Sequence, residues 1–84
     1  MQNKIDKIIT LDNNDQYMVL DQGNYNGKCY FLTSLLDNNG NLTDEISILE
    51  ETTDGNKSVV SSIIEERLFN ALIEYFKKRF EVVA

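Results

Sequence analysis

Polar and apolar residues alternate along most of this chain, and the period lengthens from two to about four only near its end. From Lys4 to Leu11 the string KIDKIITL is apolar with partial alternation, and Asp12 to Asp15, DNND, supplies short polar side chains that favour a turn. This predicts a strand and a hairpin loop. QYMVLD forms a second strand with Tyr17 and Val19 on one face and Met18 and Leu20 on the other, and Gly23 marks a bulge or bend in its extension. Asn26-Gly27 suits a type I′ turn, in which both central residues take positive φ, and joins Tyr25 to a third strand, KCYFLTSLL. On that strand Cys29, Phe31, Thr33 and Leu35 share the face expected to look inward, opposite Lys28, Tyr30, Leu32, Ser34 and Leu36. DNNGNLTD, from Asp37 to Asp44, reads as a polar loop, and EISILEE resumes the alternation as a fourth strand. Asp54-Gly55 turns the chain into a short fifth strand around KSVVS.

The last segment carries a helical stripe. Ile64, Leu68, Leu72, Phe76 and Phe80 recur every fourth residue, and Phe69 and Ile73 widen the apolar face. Ser62-Ile63-Ile64-Glu65 fits a capping box, so the helix is expected over about residues 63–80, a length of roughly 27 Å. Glu65 and Glu66 near its start and Lys77, Lys78 and Arg79 near its end complement the helix dipole. Strands confined to residues 4–61 followed by one helix predict an α+β fold, an antiparallel meander of about five strands with a C-terminal helix packed on a face. At 84 residues the chain, 1–84, has room for a single domain with one modest core.

Composition narrows the chemistry. There is no histidine, which removes Ser-His and Cys-His dyads, an imidazole base and His metal ligands. The single cysteine, Cys29, cannot form an internal disulfide, and Lys28 points to the opposite strand face, so nothing adjacent activates the thiol. An inert thiol, half-buried or buried, is the expectation. A calcium loop beginning at Asp37 fails, because Leu42 stands where Gly is required and Ile48 where Glu is required. Glu50 and Glu51 face apart on a strand, and the Gly residues at 23, 27, 40 and 55 form no phosphate-binding pattern. No catalytic, cofactor-binding or metal-binding residue is therefore assigned. The net charge of -6 disfavours nucleic acid, since the basic residues do not make a face that displaces counterions. No apolar run long enough to span a bilayer is present, and the expectation is a cytoplasmic protein with no membrane association.

The string KIITLDNNDQYMVLDQGNYNGKCYFLTSLLD, followed by EISILEETTDG and EERLFNALIEYFKK, resembles the YrzB-like domain of unknown function, small acidic proteins of low-GC Gram-positive bacteria. The resemblance extends from about Ile5 to Phe80. It implies a cytosolic bacterial or phage-related protein with no assigned activity, and it transfers no functional residue to this chain.

These observations favour a noncatalytic cytosolic accessory domain that binds a protein partner. The acidic residues Asp12, Asp15, Asp37, Asp44 and Glu45 fall in expected loops, where they would meet a basic patch and form the protein-binding surface. Tyr17, Tyr25, Tyr30 and Tyr75 would join such a surface if exposed. The alternative is a phage or mobile-element encoded acidic inhibitor that occupies the basic channel of a host nucleic-acid enzyme or defence system. Self-association, strand order and partner identity are left open by the sequence.

Overall fold

The computed structural model describes residues 5–81, apart from the side chains of residues 54, 80 and 81. Five strands run in the order β1 (Ile8–Thr10), β2 (Gln16–Tyr25), β3 (Lys28–Leu36), β4 (Leu42–Asp54) and β5 (Lys57–Ser62), and one helix, α1 (Glu66–Glu81), follows. Every neighbouring pair is antiparallel and the spatial order is the chain order, so the sheet is a plain meander. The α+β meander with a C-terminal helix matches the reading of the sequence.

Turn chemistry explains the order. Asn26 and Gly27 have φ of 51° and 82°, the two positive values of a type I′ turn, and Tyr25 pairs with Lys28 across it. At the next hairpin Asp54 pairs with Lys57, so the turn residues are Gly55 and Asn56, one position later than the sequence suggested. Gly55 at φ 64° in the first central place fits a type II′ turn. The first strand is shorter than expected. Asp6 turns the chain at φ 69° before β1 begins, and Lys4 lies outside the described residues.

β3 is buried on both faces, from Cys29 through Ser34 without interruption. On one face Tyr17, Val19, Cys29, Phe31 and Leu49 form a core over which the sheet curls, joined from its two ends by Ile9 and Leu11 and by Val60. On the other face Tyr30, Leu32 and Ile48 pack against Leu72 and Phe76 of α1. The expectation that only the Cys29–Phe31 face looks inward is thus corrected, because the helix takes the opposite face. The buried hydroxyls are satisfied: Thr33 Oγ1 donates to the Ser47 carbonyl at 2.9 Å and Ser34 Oγ to the Thr43 carbonyl at 2.7 Å.

The proposed capping box does not form. Ser62 ends β5 opposite Leu49, and the Ile63 N–H donates to the Ile48 carbonyl at 3.3 Å, so the ladder with β4 claims the residues that would have capped the helix. The first helical bond runs from the Phe69 N–H to the Glu65 carbonyl at 3.0 Å. Ile64 is left 97% exposed, whereas Leu68, Leu72, Ile73 and Phe76 face the sheet as expected. The Phe80 side chain lies outside the described residues.

A register shift in β2 decides which residues the helix meets. Val19 pairs with Thr33 but Asp21 pairs with Leu32, so Leu20 is an extra residue that reverses the alternation. Beyond it Asp21, Gly23 and Tyr25 face α1. Gly23 is not the bulge but the floor for Tyr75, whose Oη lies 2.6 Å from where a Cβ at position 23 would stand.

Leu72 and Phe76 are 0% and 1% exposed. A carboxylate there has no partner, and its burial costs several kcal/mol against a total stability of about 5–15 kcal/mol. Leu72→Asp and Phe76→Asp are each expected to abolish the cooperative thermal transition seen by circular dichroism; a melt close to that of the wild type would contradict the packing.

Candidate functional site

The meander gathers the acidic residues at one end. Its β1–β2 turn, with Asp12 and Asp15, and its β3–β4 loop, with Asp37, lie on the same side because alternate turns of a meander do so. Asp44 and Glu45 are not in that loop but on β4, which starts at Leu42. Thr43 explains the earlier start: its Oγ1 donates to the Leu35 carbonyl at 2.7 Å while its own carbonyl accepts from Ser34 Oγ, which holds the segment on β3. All five carboxylates are exposed.

They are not equivalent. Asp37 Oδ1 accepts from the backbone N–H groups of Asn39 and Asn41, both at 2.9 Å, so this carboxylate organises its own loop. Asn13 performs a similar task in the first turn, where its Oδ1 accepts from the Asp15 N–H at 3.0 Å. Asp15 and Glu45 both act on Tyr17. Burial raises the pKa of that phenol above its ordinary 10.0, and the two carboxylates raise it further.

Next to this end the sheet stays open. Its curl brings β1 and β5 to opposite walls of a cleft of about 700 Å³, lined by residues 9–13 and 58–62. Asp12 is on its rim, and Ile9, Leu11 and Val60 connect its floor to the concave core. Both walls are sheet edges, and β5 has no bulge along its pairing with β4. The sequence reading missed this cleft, because the approach of two edges depends on curl and not on local alternation.

A second feature escaped it as well. Arg79 Nε donates to Asp21 Oδ2 at 2.8 Å and its Nη2 to Asp21 Oδ1 at 3.3 Å, linking the end of α1 to β2. Asp21 Oδ1 also accepts from the Gln22 N–H at 2.8 Å. The guanidinium lies 5.9 Å from the centre of the Tyr75 ring, which meets Tyr25 edge to face at 5.6 Å. Arg79 therefore does more than complement the helix dipole, and Tyr25 and Tyr75 are packing residues. Tyr17 and Tyr30 are buried. The tyrosines do not form an exposed contact surface.

Among the described residues no group of three or more His, Cys, Asp or Glu is placed to hold a metal ion, and no helix is long and apolar enough to cross a membrane. No family model, curated protein or solved structure matches the chain.

Two measurements check the environments described. Tyr30, like Tyr17, has its pKa raised first by burial, and Glu50 adds to the effect. A phenol whose folded pKa is raised gives stability that is complete below the unfolded value near pH 10 and is lost as pH climbs through the folded value. Absorbance titration should show Tyr17 and Tyr30 ionising late and together with alkaline unfolding; ionisation of all four tyrosines in the intact fold would contradict their burial. Cys29, 8% exposed in the concave core, should react with a thiol reagent at least tenfold more slowly in native than in unfolded protein, since reaction needs an opened state. Equal rates would show that the thiol is accessible.

Proposed function

We propose that this chain is a noncatalytic protein-binding accessory domain that works in the cytosol. The observation that carries this reading is the acidic end of the meander, where exposed carboxylates border an open cleft with apolar residues on its floor. Among the described residues, Asp12, Asp15, Asp44 and Glu45 are in no salt bridge, whereas Asp21 and Glu50 are paired with Arg79 and Lys28. Unpaired surface charge of one sign attracts a partner carrying the other sign and speeds encounter. The chemistry of the interior supports a noncatalytic role: the single thiol packs in the concave core, and the buried Thr33, Ser34 and Asp21 all hold other parts of the fold.

The test is affinity capture from a bacterial lysate, identification of the captured protein by mass spectrometry, and titration of the purified pair. Binding is expected to weaken by about tenfold or more between 50 and 500 mM salt, where the Debye length shrinks to a few ångströms. Asp12→Asn, Asp15→Asn, Asp44→Asn and Glu45→Gln together should weaken it comparably at low salt. Asp37 is left in place because its carboxylate builds its loop. Capture of no protein, or binding indifferent both to salt and to these substitutions, would overturn the reading.

A further inference from the structure

Five strands that reverse direction at every turn leave the first and the last running the same way. The walls of the cleft, β1 and β5, are therefore parallel to each other. A strand placed between them and running against both would make every neighbour antiparallel and would close the curled sheet into an up-and-down barrel.

The edges are prepared for such a strand. Asp54 and Lys57 flank a two-residue turn and form a hydrogen-bonded pair, so Val59 and Ser61 direct their backbone groups to β4. Ser58, Val60 and Ser62 direct theirs into the cleft. On the other wall the Leu11 N–H donates to the Asp15 carbonyl at 2.9 Å, which by the same alternation leaves Ile8 and Thr10 pointing away from β2. Folded proteins usually guard such edges with proline, a bulge or charged side chains, lysine above all. Beyond Lys57 at its start β5 has none of these, and its Val59 is 52% exposed.

Charge sets the direction and identity of the occupant. Because β1 and β5 are parallel, Asp12 lines one end of the cleft, with Asp15 beyond it, while Lys57, the first residue of β5, and Lys7, just before β1, lie past the lining at the other end. A strand antiparallel to both enters at the acidic end and leaves at the basic end. We propose that the cleft binds one extended segment of a partner protein, about five residues or 17 Å long, with apolar side chains at alternate positions, a basic residue on its N-terminal side and an acidic residue on its C-terminal side. Its apolar side chains continue the concave core beside Ile9, Leu11 and Val60. This rests on the protein-binding reading and names the part of the partner that is held.

The test uses the full chain and two fluorescent peptides, Lys-Val-Thr-Val-Thr-Val-Glu and the same peptide with its terminal charges exchanged, followed by anisotropy. The first should saturate the protein and bind about tenfold more tightly than the second, as two favourable pairs become two unfavourable ones. Asp12 and Lys57 are exposed, so the variant Asp12→Lys/Lys57→Glu keeps the fold and should reverse that order. Ser58→Pro removes one N–H directed into the cleft without touching the β4 ladder and should weaken binding of the first peptide about tenfold, a loss equivalent to one hydrogen bond. Absence of saturation, equal binding of the two peptides, or an order unchanged in the charge-swapped variant overturns the proposal. Light scattering that shows dimers dissociated by Ser58→Pro would assign the edge to a second copy and also overturn it. Failure here is separable from failure of the broader reading: a captured partner that binds with the same salt dependence to Ser58→Pro and wild type would retain the acidic surface and discard the strand.

Discussion

The extra residue in β2 governs how the layers of this protein meet. Without it, Asp21 would share a face with Val19 and put a carboxylate into the concave core. With Leu20 inserted, the alternation reverses, and Asp21, Gly23 and Tyr25 turn toward α1. Three contacts depend on that reversal: the Asp21–Arg79 ion pair, the seat of Tyr75 on Gly23 and the edge-to-face packing of Tyr25 on Tyr75. Asp21 is nearly buried, and its carboxylate is tolerated because Arg79 and the Gln22 N–H both donate to it. At the other end of the helix, Ile63 remains tied to Ile48 of β4. α1 is thus fixed at both ends across the sheet, with Leu72 and Phe76 between them.

The same irregularity has a second consequence. Bulges bend strands and increase local twist, and a further register shift separates Ser34 from Leu36 along the β3–β4 pairing. Together they curl the sheet over Phe31, Val19 and Leu49, all 0% exposed. A small chain gains two apolar layers from one sheet in this way, and β3 serves both. The curl stops short of closure and leaves β1 and β5 as parallel edges on either side of a cleft. An open cleft beside an acidic rim is the result.

Much of this was legible from local pattern. The strands and the turns between them were read from Asn26-Gly27 and from the polar DNND and DNNG segments, which are turns for reasons contained within each stretch, while the order of the strands in the sheet was left open. The stripe through Leu68, Leu72 and Phe76 likewise declared its buried face. What failed were inferences in which a distant partner decides. Ser62 looked like a helix cap, but β4 claimed it for a ladder. Leu20 reads as an ordinary strand residue and Gly23 as a bulge or bend, because no local signal distinguishes a bulge from a glycine seat. Of the five acidic positions, Asp12, Asp15 and Asp37 lie in turns as expected, while Asp44 and Glu45 join β4 through hydrogen bonds between Thr43 and β3. Asp21 and Arg79 are 58 residues apart, and each has a sufficient local explanation that hides their pairing.

One curled sheet is buried on both faces at β3 while, among the described residues, its β5 edge stays unpaired. Native-state hydrogen exchange resolved by residue tests it directly. Amides of Tyr30 to Thr33 should exchange only through global unfolding, with an opening free energy equal to that from denaturant titration, whereas those of Ser58, Val60 and Ser62 should exchange at a far lower opening energy. Protection of these β5 amides equal to that of β3 would contradict the account, because it would mean that the edge is already paired and no open cleft exists in solution.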